Sequence, residues 1–152
     1  MKALRSVVFA LGLLLVVSAA HAQSGAVSAR VPFDFVLGKQ VYSAGDYLLS
    51  SDSDGTAHLY AYLRRHGYES IMIRNTDESK DGMVITRPCK RLEKAGKTVL
   101  IFHRYGDQYF LYEAWTEGST LGRRFPKSKI ESQLAKSNTD REVVMIAALI
   151  TQ

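Results

Sequence analysis

Histidines, one cysteine and a run of aromatic rings are the side chains of this chain best suited to chemistry. Of the four histidines, His21 lies in the N-terminal segment, and the other three are His58, His66 and His103. Metal binding or acid–base work needs such groups clustered, and none of the three stands in an HxH or HExxH pattern. His103 lies between Phe102 and Arg104 in a β-rich run, where a histidine satisfied by its own strand is the commoner case. There is no Gly-x-Ser-x-Gly to mark a nucleophile. Asp52-Ser53-Asp54-Gly55 has the start of a calcium loop, but the bidentate glutamate that completes an EF-hand is missing. These patterns point to no catalytic residue, no metal and no cofactor.

Cys89 stands in Arg87-Pro88-Cys89-Lys90-Arg91, where basic neighbours could lower its pKa and make it a reactive thiol. The competing reading is a small buried hydrophobe. Phe102, Tyr105, Tyr109, Phe110, Tyr112 and Trp115 all fall on one stretch. An open face of such rings would stack on sugar rings or an apolar ligand, but aromatics more often fill the core of a β domain. Basic clusters occur at Arg64-Arg65-His66, at Lys90-Arg91 with Lys94, and at Arg123-Arg124 with Lys127 and Lys129. Such patches bind polyanions by charge and counterion release, although charged loops are usually only solvated surface. His103, Tyr105, Tyr109, Trp115, Arg123 and Arg124 are therefore the candidate binding residues.

The elements that must carry these side chains begin after an address. Lys2 and Arg5 precede an apolar run from Val7 to Val17, and Ala20-His21-Ala22 offers a small-x-small cleavage site. This predicts a secretory signal peptide over 1–22 and a protein exported to the periplasm or the extracellular space. The apolar run is shorter than the roughly 20 residues of a spanning helix, so no transmembrane segment is expected in the mature chain. Lys2 and Arg5 leave with the signal, and the formal net charge of +5 falls by two. What remains of 152 residues fits one domain, expected over 30–152 after a loose segment at 23–29. A single cysteine makes no internal disulfide, so the fold must stand on its core.

Val31, Phe33 and Phe35 alternate with Pro32, Asp34 and Val36, which predicts a strand that starts at Pro32 or lies at an edge. Ser43-Ala44-Gly45-Asp46 predicts a tight turn with Gly45 at positive φ. Further strands are expected from His58 to Leu63, from Tyr68 to Arg74 and from Met83 to Thr86, the last closed by Pro88. The polar stretch Asn75 to Gly82 reads as an exposed loop. Two β-rich runs flank Gly106-Asp107, which predicts a two-residue hairpin with Phe102 opposite Leu111 and Ile101 opposite Tyr112. Ser128-Lys129-Ile130-Glu131 has the form of a capping box opening a short helix, with Ile130 and Leu134 on one face. Glu142 to Ile150 reads as a buried strand.

Val31-Pro32-Phe33-Asp34-Phe35, Ala44-Gly45-Asp46-Tyr47 and Arg104-Tyr105-Gly106-Asp107-Gln108-Tyr109-Phe110-Leu111, with Gly122-Arg123 and Pro126-Lys127-Ser128, together resemble a family of small, uncharacterised exported bacterial proteins. Ser43 stands where that family's turn often has proline. The resemblance implies a β fold and export, and it implies no catalytic residues. The expected fold is mainly β, an antiparallel barrel or sandwich of about eight strands with one short helix near the C-terminus. The leading functional expectation is a non-catalytic exported protein that binds an envelope component, a glycan, an extracellular polymer or another anionic surface. Nucleic acid is not an expected partner. The competing expectations are a secreted enzyme with a cleft formed by His103, Glu113 and a distant carboxylate, and a structural subunit that forms oligomers through the edge of Val31 to Val36.

Overall fold

Strand formers alternate with turn residues along most of the chain, and β structure dominates the result. The computed structural model describes residues 25–51, 63, 65–78, 80–137 and 140–151. The expected signal peptide, the turn at 52–55 and His58 lie outside the described residues. Of the strand expected from His58 to Leu63, only Leu63 is described, and it is helical. The strands are β1 (Ala26–Val31), β2 (Phe35–Leu37), β3 (Gln40–Tyr42), β4 (Gly45–Ser51), β5 (Glu69–Asn75), β6 (Lys80–Lys90), β7 (Val99–Tyr105), β8 (Gln108–Trp115), β9 (Leu121–Arg124), β10 (Glu142–Ala147) and β11 (Leu149–Thr151). One helix, α1 (Lys129–Lys136), sits between β9 and β10.

The hydrogen-bonded order is β10-β7-β8-β9-β6-β5-β4-β1-β11. The sheet is mixed, because β2 runs parallel to β8 while the other ladders are antiparallel. Its described residues form eleven strands rather than about eight, and it is open rather than a closed barrel. Its two end strands, β10 and β11, follow one another in the chain with only Ala148 between them, so a covalent link, not a ladder, joins the ends. Long β6 turns the other corner. Its first part pairs with β5 as far as Thr86, and its last part pairs with β9 from Arg87 onward.

The two halves of the sheet face one another across the core. Val31, Tyr47 and Ile73 from one half meet Leu100, Phe102 and Leu111 from the other. Phe35 lies between them, 5.0 Å from the Tyr47 ring and 5.4 Å from those of Tyr42 and Phe102. Removing a ring so placed typically costs about 3–5 kcal/mol. Ile71 and Ile73 share the buried face of β5, as their spacing predicts.

Several boundaries move for physical reasons. The first strand begins at Ala26, inside the segment expected to be loose, because Val27 is paired on both sides, to Leu49 and to Ile150. It ends at Val31, and Phe33 lies outside any strand, stacked on Tyr109 at 3.8 Å. Asp34 Oδ1 accepts from the Ala44 amide at 2.8 Å and ties the next turn down. Gly45 is extended in β4, and the residue at positive φ in this region is Gly38 (φ 62°). A Cβ at Gly45 would stand 3.1 Å from Asp77 Oδ2, a contact tighter than ordinary van der Waals packing. The polar stretch after Asn75 is a tight turn rather than a long loop. Buried Asn75 accepts from the Asp77 and Glu78 amides and donates to the Tyr47 hydroxyl, and β6 resumes at Lys80.

Pro88 does not close its strand. The partner β5 has ended opposite Thr86, so only the β9 ladder remains to satisfy at Pro88. The region Val31 to Val36 is not a free edge either: β1 lies between β4 and β11, and β2 between β3 and β8. The last segment is extended as expected, but it is not buried. Val143, Met145, Leu149 and Ile150 point to solvent, while Val144 and Ile146 pack on the core.

Candidate functional site

The Gly106-Asp107 hairpin forms, with Gly106 at φ 58° and Tyr105 opposite Gln108. Phe102 faces Leu111 as expected, but Ile101 faces Glu113 instead of Tyr112. A bulge absorbs one residue of β8 at this point. Strict alternation from Phe110 would send Glu113 and Trp115 inward and Ala114 outward. The extra residue reverses this, so Ala114 joins the inner core and Trp115 joins an outer cluster with Ile101 and Ala95. Antiparallel pairing then sets Arg87, Arg124, Glu113 and Ile101 in one row across β6, β9, β8 and β7. The next row holds Cys89, Gly122, Trp115 and Val99.

Glu113 is the buried anchor of this outer face. Its Oε1 accepts from Arg124 Nε at 3.0 Å and Nη2 at 2.8 Å. Its Oε2 accepts from the Trp115 indole N–H at 2.8 Å, with Arg91 Nη2 at 3.8 Å. The Arg91 guanidinium lies 3.9 Å above the Trp115 ring. A carboxylate held by this many donors is a structural hub, not a free base. The hydrogen bond to Glu113 pushes the Arg124 pKa up from its ordinary value.

Beside this row runs a groove of about 810 Å³. Met83, Ile85 and Arg87 from β6 form one wall, at positions two apart on the outer face. Val84, Tyr112, Arg124, Phe125, Pro126 and Lys127 complete it, with Tyr68 beside Arg87. The Arg87 guanidinium lies 4.9 Å from the Tyr68 ring centre and donates to the Tyr68 hydroxyl at 2.7 Å. No carboxylate is among the groove's described lining residues. Arg87 and Arg124 are directly opposite in the ladder, and like charges so placed repel. Glu113 compensates Arg124, but no described acid pairs with Arg87 or Lys127. A second, smaller cavity of about 380 Å³ opens between the sheet halves, with Val27, Leu49, Leu121 and Arg123 in its wall.

His103 belongs to a different device. It is 2% exposed, and its Nδ1 lies 2.8 Å from Glu131 Oε1. Tyr112 stacks on its other side at 3.8 Å. The cap of α1 forms as expected, with Ser128 Oγ accepting from the Glu131 amide at 2.9 Å. The Glu131 side chain does not reach back along the helix, however; it points into the sheet to His103. The helix consequently buries Glu131 and leaves Ile130 exposed, the reverse of an apolar docking face. Neither described cavity includes His103 in its wall.

The structure scatters the residues singled out from sequence. Tyr105 and Trp115 are buried, Tyr109 is half-buried against Phe33, and the rings form no open strip. Strand alternation splits Arg123 from Arg124: Arg123 pairs with Glu69 on the other side, and only Arg124 enters the groove. His103 and Glu113 hold separate partners, Glu131 and Arg124. Burial, with Glu113 next, pushes the Cys89 thiol up, against the opposing pull of Arg124, Arg91 and Arg123. Arg87 was not singled out, because ending the strand before Pro88 hid its place in the series Met83, Ile85, Arg87. Glu131 was read only as a cap; the mid-strand His103 was the one signal of its partner.

Searches of protein-family models, curated proteins and solved structures found no match to this chain. Among the described residues there is no cluster of three His, Cys, Asp or Glu side chains able to hold a metal ion. No described helix is long and apolar enough to cross a membrane.

Proposed function

We propose that this chain is a non-catalytic exported binding protein whose outer groove takes an anionic component of the cell envelope or its surroundings. One observation carries the reading: Arg87 and Arg124 stand directly opposite each other in the wall of an apolar groove that also receives Lys127. An anion between the two guanidinium groups would balance the Arg87 charge, which no described acid pairs, and use the N–H donors that Glu113 and Tyr68 leave over. The signal-like composition of residues 1–22 and the resemblance to exported bacterial proteins support the setting. The enclosure of His103 by Glu131 and Tyr112 supports binding over catalysis, because substrate would have to displace one of them.

The test is a titration of the mature chain with inorganic phosphate, dextran sulfate and dodecyl phosphate. Trp115, the only tryptophan, serves as the reporter through Glu113 and Arg124. Saturable binding of at least one probe is expected, weakened by salt and by Arg87→Ala. Absence of binding to all three, or equal binding by the variant, rejects the reading. A second reading, self-assembly, is favoured by exposed Val143, Met145, Leu149 and Ile150 on β10 and β11. It expects concentration-dependent sedimentation that Met145→Lys abolishes, and a monomer at all concentrations would sink it.

A further inference from the structure

We infer that the ligand of the outer groove is a single-chain anionic amphiphile, its head group between Arg87 and Arg124 and its hydrocarbon along Ile85 and Met83. This rests on the reading of the groove as an anion site and adds the nature of the ligand's other end. The order of side chains on β6 is the reason. Met83, Ile85 and Arg87 share one face, and the first two are 52% and 42% exposed. Two large apolar side chains kept open to solvent on a strand, leading to an arginine, make a track with an apolar run and a charged end. Four steps along the strand, from position 83 to position 87, at about 3.4 Å each give that track a length of about 14 Å, the reach of roughly eleven methylenes.

On the facing side exposed Pro126 and the half-buried Tyr112 ring add apolar surface, while Phe125 is itself buried in the core. Methionine at position 83 supplies a flexible, polarisable surface that adapts to a mobile chain. A volume of about 810 Å³ lies in the range of small-molecule sites and suits one chain rather than a bilayer surface. An extended polyanion fits less well, because positions 83 and 85 would offer it no charge. Charge complementarity is concentrated at Arg87 and Arg124, with Lys127 adding a third cation to the lining.

The deciding experiment compares dodecyl phosphate, used below its micelle concentration, with inorganic phosphate and with dodecyl maltoside. The mature chain, Arg87→Gln and the double variant Met83→Ser with Ile85→Ser are titrated by calorimetry and Trp115 fluorescence. All three substituted positions are exposed, and matching thermal unfolding of the variants establishes that each is folded. One dodecyl phosphate per chain is expected, at least tenfold tighter than either control. Arg87→Gln should weaken it tenfold or more. The double variant should weaken dodecyl phosphate by a similar factor and leave inorganic phosphate unchanged. Equal affinity for phosphate and dodecyl phosphate, both lost in Arg87→Gln, would leave the anion site standing and overturn the amphiphile. Tighter binding of dextran sulfate, titrated as a fourth probe, than of dodecyl phosphate would do the same in favour of a polymer. Equal affinity for dodecyl maltoside and dodecyl phosphate, or no binding of any probe, would overturn both readings.

Discussion

Glu131 does two jobs at once, and the second explains why an eight-residue helix holds its place. Its amide is capped by Ser128, and its carboxylate is bonded to His103 beneath the helix. A helix this short is marginal alone, so its docking contacts decide whether it forms. Removing one partner of a buried pair leaves the other unsatisfied. Glu131→Ala should therefore cost about 1–3 kcal/mol, measured as a lower urea midpoint. Glu131→Gln keeps the size and a hydrogen-bonding oxygen and should cost distinctly less; equal losses would mean that the carboxylate itself, not a hydrogen bond that an amide can replace, holds the helix. At Cys89 the opposite lesson holds. Basic residues flank it in sequence, yet burial and Glu113 dominate and push its pKa up. Iodoacetamide should alkylate Cys89 more slowly than free cysteine near neutral pH, and a faster reaction would reverse that assignment.

The bulge in β8 is the element on which the outer face depends, and it brings a close approach with it. Once Trp115 faces outward, its ring lies over the neighbouring strand, where a Cβ on Gly122 would stand 2.7 Å from the indole. Gly122→Ala should destabilise the fold by about 1–3 kcal/mol and shift Trp115 fluorescence. Gly96→Ala, with open space around it, should do neither and serves as the control. Much at this scale was legible in the chain. Gly106-Asp107 announced its hairpin, Ser128 its cap, and the β-branched run after Glu142 its extended form. The bulge was not legible, because Tyr112 and Glu113 follow one another without a glycine or other local mark. Nor was the passage of β6 through Pro88, since its tolerance comes from where β5 ends, a fact of pairing rather than of local sequence. The site suffered most from these two gaps. Together they place Glu113 and Arg87, whereas the named candidates His103, Tyr105 and Trp115 turned out to be packed inside.

Across the whole molecule, burial has placed phenols in both layers, and this sets how the protein should fail. Tyr42 and Tyr47 flank Phe35 in the inner core, and Tyr105 is buried on β7 near Glu131. Desolvation is the leading cause that raises the pKa of each above its ordinary value, and the Cys89 thiol is raised in the same way. The unfolded chain, with ordinary pKa values, gives up these protons first as pH rises. The stability they contribute is thus complete below the unfolded values, about 8.5 for cysteine and 10 for tyrosine, and is lost as pH climbs through the folded ones. The urea midpoint should fall steadily from about pH 9 upward. Tyrosinate absorbance should lag behind that of free tyrosine and then rise together with the loss of structure. Joint loss is expected because Tyr42 and Tyr47 pack through Phe35 onto Phe102 of β7, the strand that also carries Tyr105. Tyr105→Phe removes one of these groups and should move the alkaline transition to higher pH. A midpoint unchanged across this range, with all phenols titrating as in free tyrosine, would show that the buried hydroxyls are open to water after all.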